Sequence, residues 1–77
     1  MKEITVLTFG SITDIIGKNN FVTNAASTEE LRNELESAFP RLKTIKYAMA
    51  VNKQMVTTLT ILDANATVAL LPPFSGG

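Results

Sequence analysis

The clearest pattern in this sequence is one amphipathic helix in the middle of the chain, with short strand-like segments on both sides of it. Ser27 and Glu30 form an S-x-x-E capping box at its start. Pro40 ends it, because the residue before a proline disfavours helical dihedral angles. The helix has to bury its apolar face against a sheet. That face consists of Leu31, Leu35, Ala38 and Phe39, which recur at helical spacing.

Five other segments have the β-branched, aromatic or continuous apolar composition of strands. Asn52 and Lys53 predict a tight turn between the third and fourth, since Asn tolerates left-handed dihedral angles. The continuous apolar run of the last strand predicts a central position beside the first strand and parallel to it. The sequence therefore predicts an α+β domain, with a mixed sheet and one main helix on one face, over residues 1–71, and an extended tail over 72–77. The strand segments are 3–9, 21–23, 48–51, 54–56 and 67–71.

Smaller features complete the predicted fold. Ser11 and Asp14 have the spacing of a cap for a short helix, which Gly17 would end. A loop near the last strand is expected to pack against the core through Leu59, Ile61 and Leu62. The charged side chains of the main helix are expected to be solvated; these are Arg32, Glu34 and Glu36.

Composition excludes several classes of function. A chain of 77 residues forms one domain. With no Cys and no His it has no disulfide, thiolate ligand or imidazole base, so neither a metal site nor a cofactor is expected. Lys and Arg together number 7, as do Asp and Glu, and this balance argues against nucleic acid and against a polybasic membrane tether. No signal peptide or membrane span is apparent, so a cytoplasmic location is expected.

The C-terminal tail is the candidate reactive element. Pro72 and Pro73 favour a stiff, extended path, and six extended residues reach on the order of 20 Å. Gly76 and Gly77 have no side chains, so they could enter a narrow channel in a partner and present the terminal carboxylate there. Ser75 has no neighbouring base and is interpreted as a spacer. Two glycines alone would suit a frayed end or a remnant of cloning, but the proline spacer favours a function.

The outward face of the sheet is a candidate partner-binding surface. If Ile4 and Val6 face the helix, the alternation of side chains along the first strand sends Phe9 to the opposite face. Met55 and Leu71 are expected to join it in an exposed apolar patch that binds a partner, with Phe74 as an anchor along the tail. Coverage by a loop or by self-association is the alternative explanation.

At these residues the chain resembles a known family. Residues 68–77 read V-A-L-L-P-P-F-S-G-G, which resembles the ending of the small subunit of molybdopterin synthase (MoaD-type), in the ThiS/MoaD group of ubiquitin-like sulfur carriers. Residues 50–56, A-V-N-K-Q-M-V, resemble the hairpin of that family, and residues 9–17 resemble its first strand-to-helix passage. The similarity extends over essentially the whole chain.

The resemblance implies a β-grasp, ubiquitin-like fold. It implies that an E1-like enzyme adenylates Gly77, that a sulfurtransferase supplies the sulfur of a thiocarboxylate, and that the tail enters the large subunit of molybdopterin synthase. There the sulfur would pass to cyclic pyranopterin monophosphate during molybdenum cofactor biosynthesis. In this interpretation the chain is a carrier subunit and not itself an enzyme.

Two departures from the family pattern leave alternatives open. Asn65 stands where the family usually has Gly, and Thr13 or Asp14 replaces an Arg that is common in the early helix. A carrier for thiamine thiazole synthesis shares the Gly-Gly ending but usually lacks the Pro-Pro pair. A ubiquitin-like protein modifier and a plain binding module are further alternatives.

Overall fold

A five-stranded mixed sheet forms the centre of the molecule. The structure, a computed structural model, describes residues 3–72. The strand order is β2-β1-β5-β3-β4, with β1 and β5 parallel and every other neighbouring pair antiparallel. This confirms the predicted mixed sheet with the last strand beside the first. The strands are β1 (Ile4–Thr8), β2 (Asn20–Thr23), β3 (Ala48–Val51), β4 (Gln54–Val56) and β5 (Thr67–Leu71).

Three helical segments complete the described fold, namely α1 (Ser11–Ile16), α2 (Thr28–Ala38) and a 3-10 helix over Pro40–Thr44. None of the helices within residues 3–72 is long and apolar enough to cross a membrane. The core lies between α2 and one face of the sheet. Its largest fully buried side chains come from both layers and include Ile4, Val6, Val68, Leu70 and Leu31.

The predicted capping box of α2 is present with one difference. The Glu30 backbone N–H donates to Ser27 Oγ at 3.2 Å, while the Glu30 carboxylate accepts from the backbone N–H of Ala26 at 2.8 Å, one residue before the cap. Leu31 and Leu35 are buried as predicted, but Ala38 at the end of the same face is exposed. The helix therefore buries its first two turns more completely than its last.

Helix α1 does not have the predicted side-chain cap. Its N-cap is Gly10, with φ 55° and ψ −132°, and neither Ser11 nor Asp14 caps the backbone. The backbone carbonyl groups of Phe9 and Gly10 instead accept from the N–H groups of Ile12 and Thr13, each at 3.1 Å. The Ser11–Asp14 prediction was wrong because a glycine turn starts the helix. Gly17 ends α1 in the left-handed region, as predicted.

The loop before β5 packs through one of its three predicted anchors. Leu62 is fully buried, whereas Leu59 and Ile61 are 55% and 62% exposed. This segment is extended and pairs with the start of α2, since the N–H of Thr28 donates to Thr60 O and the N–H of Leu62 donates to Ala26 O. Alternation along an extended chain then sends residues 59 and 61 outward and 60 and 62 inward.

The charged side chains of α2 also make specific contacts, which sequence analysis did not predict. Tyr47 Oη donates to Glu36 Oε2 at 2.9 Å, and the Arg32 guanidinium lies 5.7 Å from the centre of the Tyr47 ring. Thr23 Oγ1 donates to Glu34 Oε1 at 3.0 Å. These contacts tie α2 to β2 and to the connection before β3. Arg32 and Glu34 are exposed as predicted, and Glu36 is half-buried.

Candidate functional site

The chain leaves the sheet from its central strand. Strand β5 lies between β1 and β3, which pair with it along Thr67–Leu71. The next residue, Pro72, is half-buried and lies against Gly10. A Cβ atom built at Gly10 would lie 3.0 Å from Pro72 Cγ and 3.7 Å from Pro72 Cβ. The start of the predicted tail therefore contacts the folded domain at a glycine.

The rest of the predicted tail lies outside the described residues. Pro73, Phe74, Ser75, Gly76 and Gly77 keep the roles assigned to them from the sequence as predictions. The structure shows that the chain leaves the sheet at the end of β5, beside the end of β1.

The predicted apolar patch lies on the sheet face opposite α2. Leu7, Ala69, Ala50 and Met55 follow one another across four strands in paired registers. Extending the β1–β5 register by one residue places Phe9 beside Leu71, and Leu71 pairs with Ala48. Two adjacent rows of uncharged side chains thus run across this face.

Exposure differs among the three predicted members of the patch. Phe9 is 45% exposed, Met55 is 60% exposed and Leu71 is half-buried. Phe9 and Leu71 lie together at the end of the sheet from which the tail leaves. Met55 lies on the edge strand β4, in the next row, and the alanines of the central strands separate it from them.

Those alanines form a shallow depression that sequence analysis missed. A cavity of about 290 Å³ opens on the outward face. Small side chains at Ala50 and Ala69 on two paired strands leave this space, and Lys53 is the charged residue in its lining. The sequence contained a signal, because two outward alanines on neighbouring strands produce a depression. Recognising that signal required the pairing register of β3 and β5. The lining consists of Leu7, Ala50, Asn52, Lys53, Thr67 and Ala69.

A polar row borders the patch on one side. Thr5 pairs with Val22 on β2 and with Thr67 on β5. The Thr67 N–H donates to the Asn52 side-chain oxygen at 3.0 Å, and the Asn52 N–H donates to Thr67 O at 2.8 Å. Within residues 3–72, no group of three or more acidic side chains is placed to hold a metal ion.

A match to a known family decides which group the chain belongs to. The sequence model of the ThiS family matches residues 6–77, which is nearly the whole chain. The chain belongs to the ThiS family. This agrees with the resemblance to ThiS/MoaD ubiquitin-like proteins described above.

Solved structures similar to this ThiS-family chain have the same fold. The small archaeal modifier protein 1 (SAMP1) from Methanosarcina acetivorans has a TM-score of 0.85 at 20% identity, with 100% of this chain and 98% of that chain covered. A putative molybdopterin converting factor, subunit 1, from Pyrococcus furiosus has a TM-score of 0.87 at 17% identity, with 96% and 100% covered. These similarities confirm the β-grasp, ubiquitin-like fold.

A third similar structure contains two different subunits. It is the complex of subunits 1 and 2 of the molybdopterin-converting factor from Helicobacter pylori, with a TM-score of 0.74 at 29% identity. The alignment covers 97% of this chain and 99% of that chain. The ThiS-family chain is thus similar over its full described fold to a protein solved together with a partner subunit.

Proposed function

We propose that this chain is a sulfur carrier and the small subunit of molybdopterin synthase. The observation that carries the proposal is the position of β5. The central strand leads directly from the apolar sheet face into the P-P-F-S-G-G ending. The folded body over residues 1–71 would be recognised by partners, and the tail over 72–77 would deliver the carboxyl group of Gly77.

The chemistry of the proposed carrier takes place on that carboxyl group. A carboxylate is a poor electrophile, so an E1-like enzyme first transfers AMP to it from ATP and releases pyrophosphate. The persulfide of a sulfurtransferase then attacks the acyl carbon and AMP leaves, and a thiol cleaves the S–S bond of the resulting acyl disulfide, so that a thiocarboxylate remains on the carrier and the two other sulfurs end as a disulfide. The thiocarboxylate sulfur forms a C–S bond with cyclic pyranopterin monophosphate, displacing an oxygen substituent, and water hydrolyses the resulting thioester, which returns the carboxylate of Gly77. No step requires a thiol or imidazole on the carrier, which agrees with a sequence without Cys or His.

The outward sheet face is the proposed binding surface for the large subunit. Phe9 and Leu71 lie where the tail begins, so a partner that covers them would also receive the tail. Met55 extends the same surface to β4 and Phe74 would extend it along the tail. The similarity to the Helicobacter pylori subunit complex supports a two-subunit assembly. An ATP-dependent activation step supports a cytoplasmic location.

Intact-protein mass spectrometry of material from the native cell tests the proposal. We expect a fraction of the chain to carry sulfur in place of one oxygen at Gly77. A variant that lacks Gly77 is the matched control and should show no sulfur incorporation. The proposal is wrong if the native carboxyl group is never exchanged, or if the shortened variant still supplies sulfur to its acceptor.

A protein-modifier function is the second candidate, because three of the similar structures are of small archaeal modifier proteins. A modifier would be joined through Gly77 to lysine side chains, and cell extracts would contain conjugates of higher mass. A carrier for thiamine thiazole synthesis would leave a deletion strain dependent on thiamine. Loss of molybdenum enzyme activity without either of these signs would favour the molybdopterin function.

A further inference from the structure

Gly10 has a backbone conformation that other residues rarely adopt. Its dihedral angles, φ 55° and ψ −132°, are close to those of the first central residue of a type II′ turn. The Ile12 N–H closes this turn by donating to Phe9 O at 3.1 Å. The turn links the end of β1 to α1, whose Ile12 and Ile16 are buried in the core.

The Pro72 ring fills the place where a side chain at residue 10 would lie. Carbon atoms in contact are usually about 3.5–4.0 Å apart, so a Cβ at 3.0 Å from Pro72 Cγ would crowd it. Gly17 provides a comparison within the same chain. Its φ of 85° is also positive, but a Cβ there would meet nothing within 4 Å. Gly10 is therefore constrained by a neighbour as well as by its backbone.

We propose that Gly10 is a positioning residue for the C-terminal tail and acts through Pro72. This inference rests on the proposed function of the tail. The position of the Gly10 backbone is fixed on one side by the β1–β5 pairing and on the other by the buried side chains of α1. The proline ring restricts the φ angle of Pro72. Contact between this ring and the Gly10 backbone therefore sets the direction in which the chain leaves β5.

If the chain leaves β5 in a fixed direction, less conformational entropy is lost when the tail enters a partner's active site. Five residues can reach at most about 16 Å, so a change of chain direction at Pro72 would move the carboxyl group of Gly77 further than it moves Pro72. An alanine at residue 10 would push the ring by about 0.5 Å to reach ordinary contact. A misplacement of about 1 Å at reacting atoms is enough to slow a reaction severely.

The first test is the rate of adenylation by the E1-like enzyme of the same organism, followed as ATP–pyrophosphate exchange at increasing carrier concentration. For Gly10→Ala we expect a kcat about tenfold lower at unchanged KM, because the folded body that partners would recognise is intact. Gly17→Ala, with backbone strain but no crowding, should keep the wild-type kcat. Simple destabilisation would instead raise the apparent KM of both variants.

A double-mutant cycle isolates the contact with Pro72. In a Pro72→Ala background the crowding atom Cγ is absent, so Gly10→Ala should lower kcat no further. An equal effect of Gly10→Ala in both backgrounds, or an effect no larger than that of Gly17→Ala, would overturn the proposal.

A distance measurement tests the geometry without any assay of function. The chain has no Cys, so Ser37→Cys on exposed α2 and Ser75→Cys on the tail give two unique spin-label sites. We expect the distance distribution to shift or broaden in Gly10→Ala and in Pro72→Ala, and to stay unchanged in Gly17→Ala. Identical distributions in all variants would refute the positioning role. A wild-type chain that is never adenylated would refute the proposed function alone.

Discussion

Three residues other than glycine have left-handed backbone dihedral angles, at two turns of the described chain. Asn52 and Lys53 have φ values of 50° and 74°, which are typical of the two central residues of a type I′ hairpin turn. Asn65 has φ 68°, in the turn before β5, and its N–H donates to Glu3 O at 2.9 Å. Asparagine tolerates this region better than other residues with a side chain, which explains how Asn65 can replace the usual glycine.

The first prediction concerns this turn. Asn65→Ala should lower the free energy of unfolding by about 1 kcal/mol, because alanine cannot relieve the strain of left-handed dihedral angles. Asn65→Gly removes that strain and is the control; it should remain within about 0.5 kcal/mol of the wild type or exceed it. Urea unfolding of the three proteins measures both values. Equal losses for the two variants would contradict the argument.

At the scale of elements, α2 is tied to the connection before β3 by Tyr47. Burial raises the pKa of the Tyr47 hydroxyl, the hydrogen bond to Glu36 and the charge of that carboxylate raise it further, and Arg32 opposes them. The folded protein therefore holds the phenol proton more tightly than the unfolded chain does.

The second prediction follows from the sign of this pKa shift. Below pH about 10 the phenol is protonated in both states and its contribution to stability is complete. As the pH rises above that value the unfolded chain releases the proton first, so stability falls until the higher folded pKa is passed. The free energy of unfolding should thus decline more steeply above pH 10 for the wild type than for Tyr47→Phe. Parallel curves would contradict the shift.

Sequence patterns predicted elements well where one local rule acted alone. The capping box at Ser27 and Glu30, the hairpin turn at Asn52 and the stop at Gly17 each depend on a few neighbouring residues. The start of α1 was missed because a turn at Gly10 begins the helix without a side-chain cap, and the rule for capping boxes does not describe such a start. Leu59 and Ile61 were assigned to the core because composition does not show that the loop pairs with the start of α2.

At the scale of the whole molecule, the outward sheet face is the surface that we propose for a partner. Its apolar rows cross the sheet and end beside the start of the tail. Sequence alternation assigned Phe9 and Leu71 to this face. The depression at Ala50 and Ala69 could not be predicted, because it depends on the register between strands that are distant in the chain.

The third prediction compares two charged substitutions on this face. Met55→Asp should weaken binding of the large subunit about tenfold or more, since a charge would be buried in an apolar contact. Val22→Asp is the control, because Val22 is equally exposed at 58% on the same face but borders the polar row. Both proteins should fold normally. Calorimetric titration measures the affinities, and equal affinities would argue against the patch.

The parallel pairing of β1 with β5 has a consequence for biosynthesis. On the ribosome β1 emerges first, but its parallel neighbour is the last strand of the described fold to be made. Until β5 has been made, the sheet has no central strand, because β3 also pairs with β5. A prematurely terminated product loses the interior of the domain together with the segment that follows, and cellular proteases remove such unfolded chains.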